Sequence, residues 1–341
     1  ETKAPRFQRA ISELDGGDVP AIELFSPDYN PGLSDTYQLG AFIGGFGLED
    51  FEFGEARQFG SEDTRIGGYV QDQVALGDLR LSASLRFDSF DDDDLFGGED
   101  FSDETVTVRG GALYKLLDNW SIYASYSEGY EPQSPASQNT TQGGPFDPEE
   151  SWQVEGGTKA QLFDGRLLTT ITGYFIQKEN VLVTDPENQD LLTALGEVES
   201  KGVEIEAVGN ITNRFRISGN YAYNDIETTE DSNPDLIGQT PPNAPSHQAS
   251  LWGSYAFLDG DVTVAAGPTY VSDRETFFRG NEIPEYVRID AAASYKIESF
   301  TVRLNVDNVT DSTYLTGGFG GRLGGMPGAP RNVTLSGTYN F

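Results

Sequence analysis

Few residues of this chain have the types and spacing needed for covalent or metal chemistry. Cysteine is absent and histidine occurs once, at His247. That excludes disulfide frameworks, thiolate nucleophiles, thiolate or imidazole zinc sites and any Ser-His-Asp arrangement not built on His247. His247 opens a predicted strand beside a loop and reads as an interface residue rather than a general base. Glu204 and Glu206 have the look of a carboxylate pair for glycoside hydrolysis, but their strand face continues into Asn210, so they read as wall residues. Asp91 to Asp94, with Glu99, Asp100 and Asp103, offer carboxylate oxygens of the kind Ca²⁺ takes; their spacing matches no calcium loop, and they read as a solvated acidic loop. The glycine-rich stretch from Gly317 to Gly325 lacks the lysine and following helix of a phosphate loop and reads as a flexible loop. What remains is a set of aromatic and cationic residues in polar loops: Tyr130, Phe146, Arg274, Phe277, Phe278, Arg279, Phe319 and Arg322. Ring faces and bidentate guanidinium groups suit an organic, anionic ligand. These eight are the candidate ligand-binding residues; no catalytic residue, metal site or cofactor is expected.

The elements that must position them are strands. Acidic residues exceed basic ones by 55 to 22, a formal charge of −33, which would repel nucleic-acid phosphates. No stretch approaches the ~18 consecutive apolar residues of a membrane helix. A transmembrane β-barrel is compatible with this, because its strands need only about 10 residues each and hide their hydrophobicity in alternation. Forty glycines, sixteen tyrosines and twenty-one phenylalanines beside one methionine fit many strands, many turns and aromatic girdles.

Alternation is cleanest at the end of the chain, where Val333, Leu335, Gly337, Tyr339 and Phe341 interleave with Asn332, Thr334, Ser336, Thr338 and Asn340. It recurs over 286–297, 216–224 and 203–211. About thirteen strands follow, near 64–76, 79–90, 104–116, 120–131, 150–163, 166–183, 197–212, 215–229, 246–258, 262–277, 286–298, 300–314 and 331–341. Short turns such as Gly77-Asp78 and Asp164-Gly165 alternate with long polar loops at 91–103, 132–149, 184–196, 230–245, 278–285 and 315–330. That is the rhythm of an antiparallel up-and-down outer-membrane barrel, with its turns periplasmic and its loops external. Residues 1–63, with Pro20, Pro27 and Pro31, read as an irregular, mostly external loop carrying the remnant of one strand. A soluble secreted β-protein would leave the lipid-suited alternation unexplained.

Several runs resemble the TonB-dependent outer-membrane receptors, in particular their siderophore-receptor branch, from about Thr64 to Phe341. They include Gly68-Tyr69-Val70-Gln71-Asp72-Gln73, Leu85-Arg86-Phe87-Asp88 and Tyr123-Ala124-Ser125-Tyr126-Ser127-Glu128-Gly129-Tyr130. Pro148-Glu149-Glu150-Ser151-Trp152-Gln153-Val154-Glu155-Gly156-Gly157 follows, then the most distinctive run, Gly196-Glu197-Val198-Glu199-Ser200-Lys201-Gly202-Val203-Glu204-Ile205-Glu206. Leu304-Asn305-Val306-Asp307-Asn308-Val309-Thr310-Asp311, Gly328-Ala329-Pro330-Arg331 and the terminal Phe341 resemble the family's last two strands.

The resemblance implies that 64–341 is the C-terminal part of a plugged barrel of about 22 strands, with the plug and the energy-coupling segment absent from this sequence. It implies a receptor in the bacterial outer membrane that takes up a ferric siderophore and is driven by TonB through the missing N-terminal part. Outer-membrane lipid and, through the strand ending in Phe341, the barrel-assembly machinery would be its other partners. A passive channel, or import of another nutrient such as cobalamin, is the alternative. Arg288, Asp290, Arg303, Asn305 and Asp307 would line the lumen.

Overall fold

The computed structural model describes residues 6–9, 58–94, 100–134, 137–138, 140–277, 280–318 and 324–341. Most of the irregular segment expected over 1–63 lies outside these residues. The described strands, in chain order, are β1 (Arg6–Arg9), β2 (Gln58–Leu76), β3 (Leu79–Asp94), β4 (Phe101–Leu117), β5 (Trp120–Glu131) and β6 (Glu149–Leu162). They continue with β7 (Leu167–Thr184), β8 (Leu192–Asn210), β9 (Phe215–Glu230), β10 (His247–Phe257), β11 (Val262–Val271), β12 (Arg274–Glu275) and β13 (Glu282–Ile283). The last are β14 (Tyr286–Ile297), β15 (Phe300–Asp307), β16 (Leu315–Gly318), β17 (Gly325–Pro327) and β18 (Asn332–Tyr339).

Two units are distinguished, Glu1–Thr64 with Asp91–Asp100, and Arg65–Phe90 with Phe101–Phe341. In the first, β1 pairs antiparallel with the start of β2, Arg6 opposite Ser61 and Arg9 opposite Gln58. The second carries the main sheet apart from β1, the start of β2 and the end of β3. Among the described residues the sheet has fourteen strands in the order β1 to β11, then β14, β15 and β18, so that neighbours in sequence are neighbours in space. The omitted strands form two small hairpins, β12 with β13 and β16 with β17. This is an up-and-down meander, and all thirteen expected strand positions are occupied by strands.

The register explains why these residues choose strands. Across β10, β11, β14, β15 and β18, Tyr255 stands opposite Val264, Val264 opposite Ala293, Ala293 opposite Leu304 and Leu304 opposite Leu335. Across β5 to β9, Ile122, Thr158, Ile171, Ile205 and Tyr221 form the same kind of row. One face is therefore apolar over many strands, and it is open: Leu335 is 72 % exposed, and Leu251, Val287 and Tyr295 are exposed with it. A face of this breadth is suited to lipid rather than water. Two aromatic bands bound it. Trp120, Phe215, Tyr255, Tyr295, Phe300 and Tyr339 lie toward the short turns, and Tyr126, Trp152, Phe175, Tyr221, Tyr223 and Tyr270 toward the long loops. Beyond the second band the same face turns charged, with Lys201 3.4 Å from Asp225 and 3.7 Å from Glu227. This marks the external limit of the membrane layer. His247 sits in that band, its Nδ1 2.9 Å from the Tyr221 hydroxyl and its ring 5.1 Å from that of Tyr223.

The opposite face is polar. Ser294, Arg303 and Ser336 share one row, and Ala292, Asn305 and Thr334 the next, with Asp307 opposite Asn332. Arg288 and Asp290 project from this face of β14, opposite Thr269 and Gly267.

Three boundaries depart from expectation. Asp91 to Asp94 belong to β3 instead of a loop; in a strand successive side chains alternate faces, so Asp91 and Asp93 fall on the side opposite Asp92. The strand expected over 300–314 ends at Asp307, because Asn308 adopts a left-handed φ of 51°. The loops at 278–285 and 315–330 are tied down by the hairpins β12/β13 and β16/β17.

Candidate ligand site on the external loops and upper wall

The first candidate feature is a joined group of loops at the external ends of β10 to β18. Arg274, at the start of β12, is only 7 % exposed. Its Nη1 donates to the Thr316 carbonyl and its Nη2 to the Leu315 carbonyl, both at 3.0 Å, which locks β12 onto β16. Its guanidinium carbon stands 5.8 Å from the centre of the Tyr286 ring. Tyr286 in turn packs on Tyr314 with ring centres 4.4 Å apart, and Tyr314 accepts a hydrogen bond from Arg288 at 3.4 Å. Arg288 is paired with Asp290 at 3.0 Å, and the Asp290 carboxylate accepts from the Asn308 backbone N–H at 2.8 Å. From the adjoining loop, Asn243 accepts from the Gly318 N–H at 2.8 Å and donates its own N–H to Glu275. Ile283 is buried beneath these contacts. The hairpins are thus held on a scaffold rooted in the barrel wall.

The second feature is a cavity of about 360 Å³ at the loop end of β2 to β5, where the pairing of β4 with β5 stops at Arg109 and Ser127. Arg65, Arg86, Arg109, Asp88, Glu128 and Tyr130 line it, with the ring of Phe90. Strand alternation puts Arg109 on the lumen face, opposite Ser127. Arg86 is engaged by Asp88 through Nε at 2.6 Å, and Arg65 stands 4.9 Å over the Phe90 ring. Tyr130 donates to Asp103 at 3.4 Å. Glu128 is spent on the Val108 N–H at 3.0 Å and the Tyr126 hydroxyl at 2.8 Å. The Arg109 side chain is exposed and has no hydrogen-bond or ion-pair partner among the described residues. A free guanidinium beside two further arginines and two aromatic rings can take the oxygens of an anionic organic ligand.

The eight sequence-predicted residues do not converge on one point. Tyr130 lines this cavity. Phe146 is 8 % exposed and forms the centre of its own loop, where its N–H donates to the Gln138 side-chain carbonyl at 2.6 Å and its carbonyl accepts from the Gln138 amide at 2.9 Å. Arg274 is committed to the hairpin lock. Phe277, on the same hairpin, is 62 % exposed. Phe278, Arg279, Phe319 and Arg322 lie outside the described residues. Sequence reasoning missed Arg65, Arg86 and Arg109 because it looked for cations in loops, whereas these three sit in strands. For Arg109 the signal was available: alternation places it on the face of Thr105 and Thr107.

No group of three or more His, Asp or Glu side chains able to hold a metal ion occurs among the described residues. Glu204 and Glu206 project from the polar face opposite Ala222 and Asn220 on one side and Thr172 and Thr170 on the other.

Comparison with known proteins agrees with this geometry. Residues 13–309 match the family described as TonB dependent receptor-like, beta-barrel. The metal-pseudopaline receptor of Pseudomonas aeruginosa is 33 % identical over 289 residues, which is 80 % of this chain and 40 % of that protein. The ferrichrome outer membrane transporter/phage receptor of Escherichia coli is 31 % identical over 315 residues, 86 % of this chain and 41 % of that one. Among solved structures, the siderophore receptor PiuA from Acinetobacter baumannii superposes with a TM-score of 0.71 at 26 % identity, over 84 % of this chain and 44 % of PiuA. The ferripyoverdine receptor of Pseudomonas aeruginosa, at 24 % identity and a TM-score of 0.72, shares the fold over 85 % of this chain and 40 % of its own. The chain spans about 40 % of the length of these curated relatives. An open apolar face bounded by aromatic bands, a meander of alternating turns and loops and a family match over most of the sequence have one meaning: this chain belongs to the TonB-dependent receptor β-barrel family of the bacterial outer membrane.

Proposed function

We propose that this chain is the C-terminal barrel portion of a TonB-dependent receptor that imports a ferric siderophore. The observation that carries the proposal is the external wall cavity, where Arg65, Arg86 and Arg109 meet Tyr130 and Phe90 in a chain whose formal charge is −33. In so acidic a protein, three arginines beside two rings favour an anionic, partly aromatic guest over a neutral sugar. The relatives' names point the same way: a metal-pseudopaline receptor, a ferrichrome transporter and a siderophore receptor. In the whole receptor, the remaining strands of a barrel of about 22 close the sheet, a plug fills it, and an N-terminal segment engages TonB. β18, with Phe341 two residues beyond its last residue Tyr339, is the element presented to the barrel-assembly machinery. Iron is cargo held by the siderophore's own oxygens. Phe278, Arg279, Phe319 and Arg322 belong to the loops that greet it, together with Phe277, while Arg274 keeps those loops in place and Phe146 holds its own.

The test is equilibrium binding by the purified full-length receptor of a panel of ferric complexes: citrate, ferrichrome, ferrioxamine B and pyoverdine. At least one should bind, and Arg109→Gln should weaken it about tenfold, the worth of one charge-assisted contact of 1.5 kcal/mol or so. Cobalamin binding with no iron complex bound would redirect the reading to another nutrient. Free solute flux through the full-length protein in liposomes would make it a passive channel.

A further inference from the structure

Several cations of the polar face, Arg86, Arg109, Arg80, Lys115 and Lys159, lie on β3 to β6, and their arrangement continues inward past the external cavity. A second cavity, of about 560 Å³, lies on the same wall toward the short turns, lined among others by Arg80, Ser82, Gly111, Tyr123, Ser125 and Lys159. The register ties the two together. Arg109 stands opposite Ser127, and Gly111, the next position on that face of β4, stands opposite Ser125. Lys115 and Lys159 then flank Ser121 from the two sides. From Arg109 to Lys115 is six residues along β4, roughly 20 Å at about 3.3 Å per residue. Gly111 presents no side chain between the two cavities, so nothing on its strand interrupts the wall there.

Lys159 is the cation of the inner cavity that is free to meet a guest. Its Nζ lies 4.8 Å over the Tyr123 ring. Tyr123 is held in turn by its hydroxyl, 2.5 Å from the Thr172 hydroxyl. Lys159 and Lys115 have no carboxylate partner among the described residues. Glu155 also lines the cavity; its oxygens accept from Ser125 at 2.8 Å and Gln153 at 3.3 Å, so one carboxylate stands there against the two cations Lys159 and Arg80. Arg80 donates to the Gly77 and Leu79 carbonyls, which leaves its positive charge uncompensated. The wall of β8 and β9 is the opposite case: Glu204 and Glu206 face Ala222 and Asn220 with no cation across from them.

We infer that Lys159, with Arg80 and Tyr123, forms a second anion-binding position on the inner wall, a way-station for an anionic chelate leaving the external cavity. The inference rests on the import reading for its ligand class: carboxylate or phenolate oxygens carried on a flat organic body. The wall offers such a guest an ammonium at the edge and a ring face beside it. Movement between sites requires each to be weak enough to release, and one ammonium with one ring meets that condition better than the three-arginine cavity outside.

The test reads local potential and needs no siderophore. The chain has no cysteine, so Ser82→Cys in the full-length receptor, otherwise free of cysteine, reports on the inner cavity. Cells carrying it, with TonB energised, are treated with the anionic sulfonatoethyl or the cationic trimethylammonioethyl methanethiosulfonate. The two reagents differ by two charges, so one kT of local potential changes their rate ratio about sevenfold. We expect the anionic reagent to be favoured about fivefold or more over its ratio at Ser250→Cys on the β10 wall, and Lys159→Gln to remove most of that preference. An equal ratio at the two positions, or one untouched by Lys159→Gln, overturns the inference. So does a cysteine at 82 that neither reagent reaches, since the cavity is then covered by another part of the protein. None of these results bears on the external site, whose own failure would appear as unchanged affinity in Arg109→Gln.

Discussion

The Arg274 guanidinium and the Leu315 carbonyl meet at 3.0 Å across 41 residues of sequence, and with the neighbouring bond to Thr316 they fasten one external hairpin to another. A charged donor bonded to a carbonyl contributes about 1.5–3 kcal/mol. Arg274→Ala should therefore free both hairpins while leaving the barrel intact. Limited proteolysis of the full-length receptor should show cleavage in 272–285 or 312–331 accelerated at least about tenfold, with heat-modifiable mobility on gels unchanged. Arg274→Lys should restore little, because an ammonium cannot bridge two carbonyls as a planar fork does. Equal protease resistance in all three proteins would show that the lock is dispensable.

Asn308 closes the loop after β15 from a position that is 1 % exposed. Its carbonyl oxygen accepts from the Ser312 N–H at 3.0 Å, its amide donates to the Ser312 and Ala329 carbonyls at 2.9 and 3.2 Å, and its φ of 51° favours asparagine or glycine. Asn308→Ala loses these three bonds and a fourth, from the Ser312 hydroxyl at 3.1 Å, and adds backbone strain, a cost of about 3 kcal/mol or more in urea unfolding of the refolded receptor. Asn308→Gly keeps the conformation and loses only the bonds, so it should fall between alanine and wild type. A Gly variant as unstable as Ala would assign the whole effect to the hydrogen bonds.

How much of this was legible in the sequence depends on the range of the forces involved. The thirteen main strands were, because alternation is local: each of Val333, Leu335 and Tyr339 announces its face without reference to any other strand. The hairpins β12/β13 and β16/β17 were not, because segments of two to four residues carry no periodicity and are held by Arg274, Asn243 and Tyr314 from elsewhere in the chain. The same holds for the candidate site. Arg274 reads in sequence as a loop cation available to a ligand; only the approach of Leu315 and Thr316 shows where its donors are spent. Arg65, Arg86 and Arg109 are each visible as strand residues, yet their common cavity requires β2 to β5 side by side in register. Charge alone pointed away from them, since 55 acids outnumber the 22 cations of the whole chain.

The two faces of β18 should respond oppositely to charge. Leu335 lies in the apolar row with Leu304 and Ala293, two residues in from Gly337 and four from Tyr339 of the turn-side aromatic band. Leu335→Arg should lower the free energy of folding into lipid bilayers by about 2–4 kcal/mol. Thr334→Arg, opposite Asn305 on the polar face, should cost less than about 1 kcal/mol. A reversed order would mean that the lipid and lumen faces have been exchanged.

Gly202 stands in the run that resembled the family most closely, and its place on β8 gives a physical reason for glycine there. It pairs with Tyr174 of β7 and Asn224 of β9. A Cβ built on it would lie 2.1 Å from the Tyr223 carbonyl oxygen and 2.6 Å from the Tyr174 hydroxyl. The hydroxyl is the end of a side chain, but it is anchored by a 3.1 Å bond to Asn224, whose side chain also accepts from Ser200 at 2.6 Å. The carbonyl belongs to backbone and can move only with its strand. Gly202→Ala must therefore push β9 aside or break the Tyr174–Asn224–Ser200 cluster, a loss of about 1–3 kcal/mol by the usual scale of overpacking. Gly68, on β2, is the matched control: nothing lies within 4 Å of its built Cβ, so Gly68→Ala should be neutral or slightly stabilising. Tyr174→Phe should relieve part of the penalty in Gly202→Ala, since it removes the crowding hydroxyl while the carbonyl clash persists. Additive losses in that double variant would show that the Tyr223 carbonyl alone enforces glycine at 202.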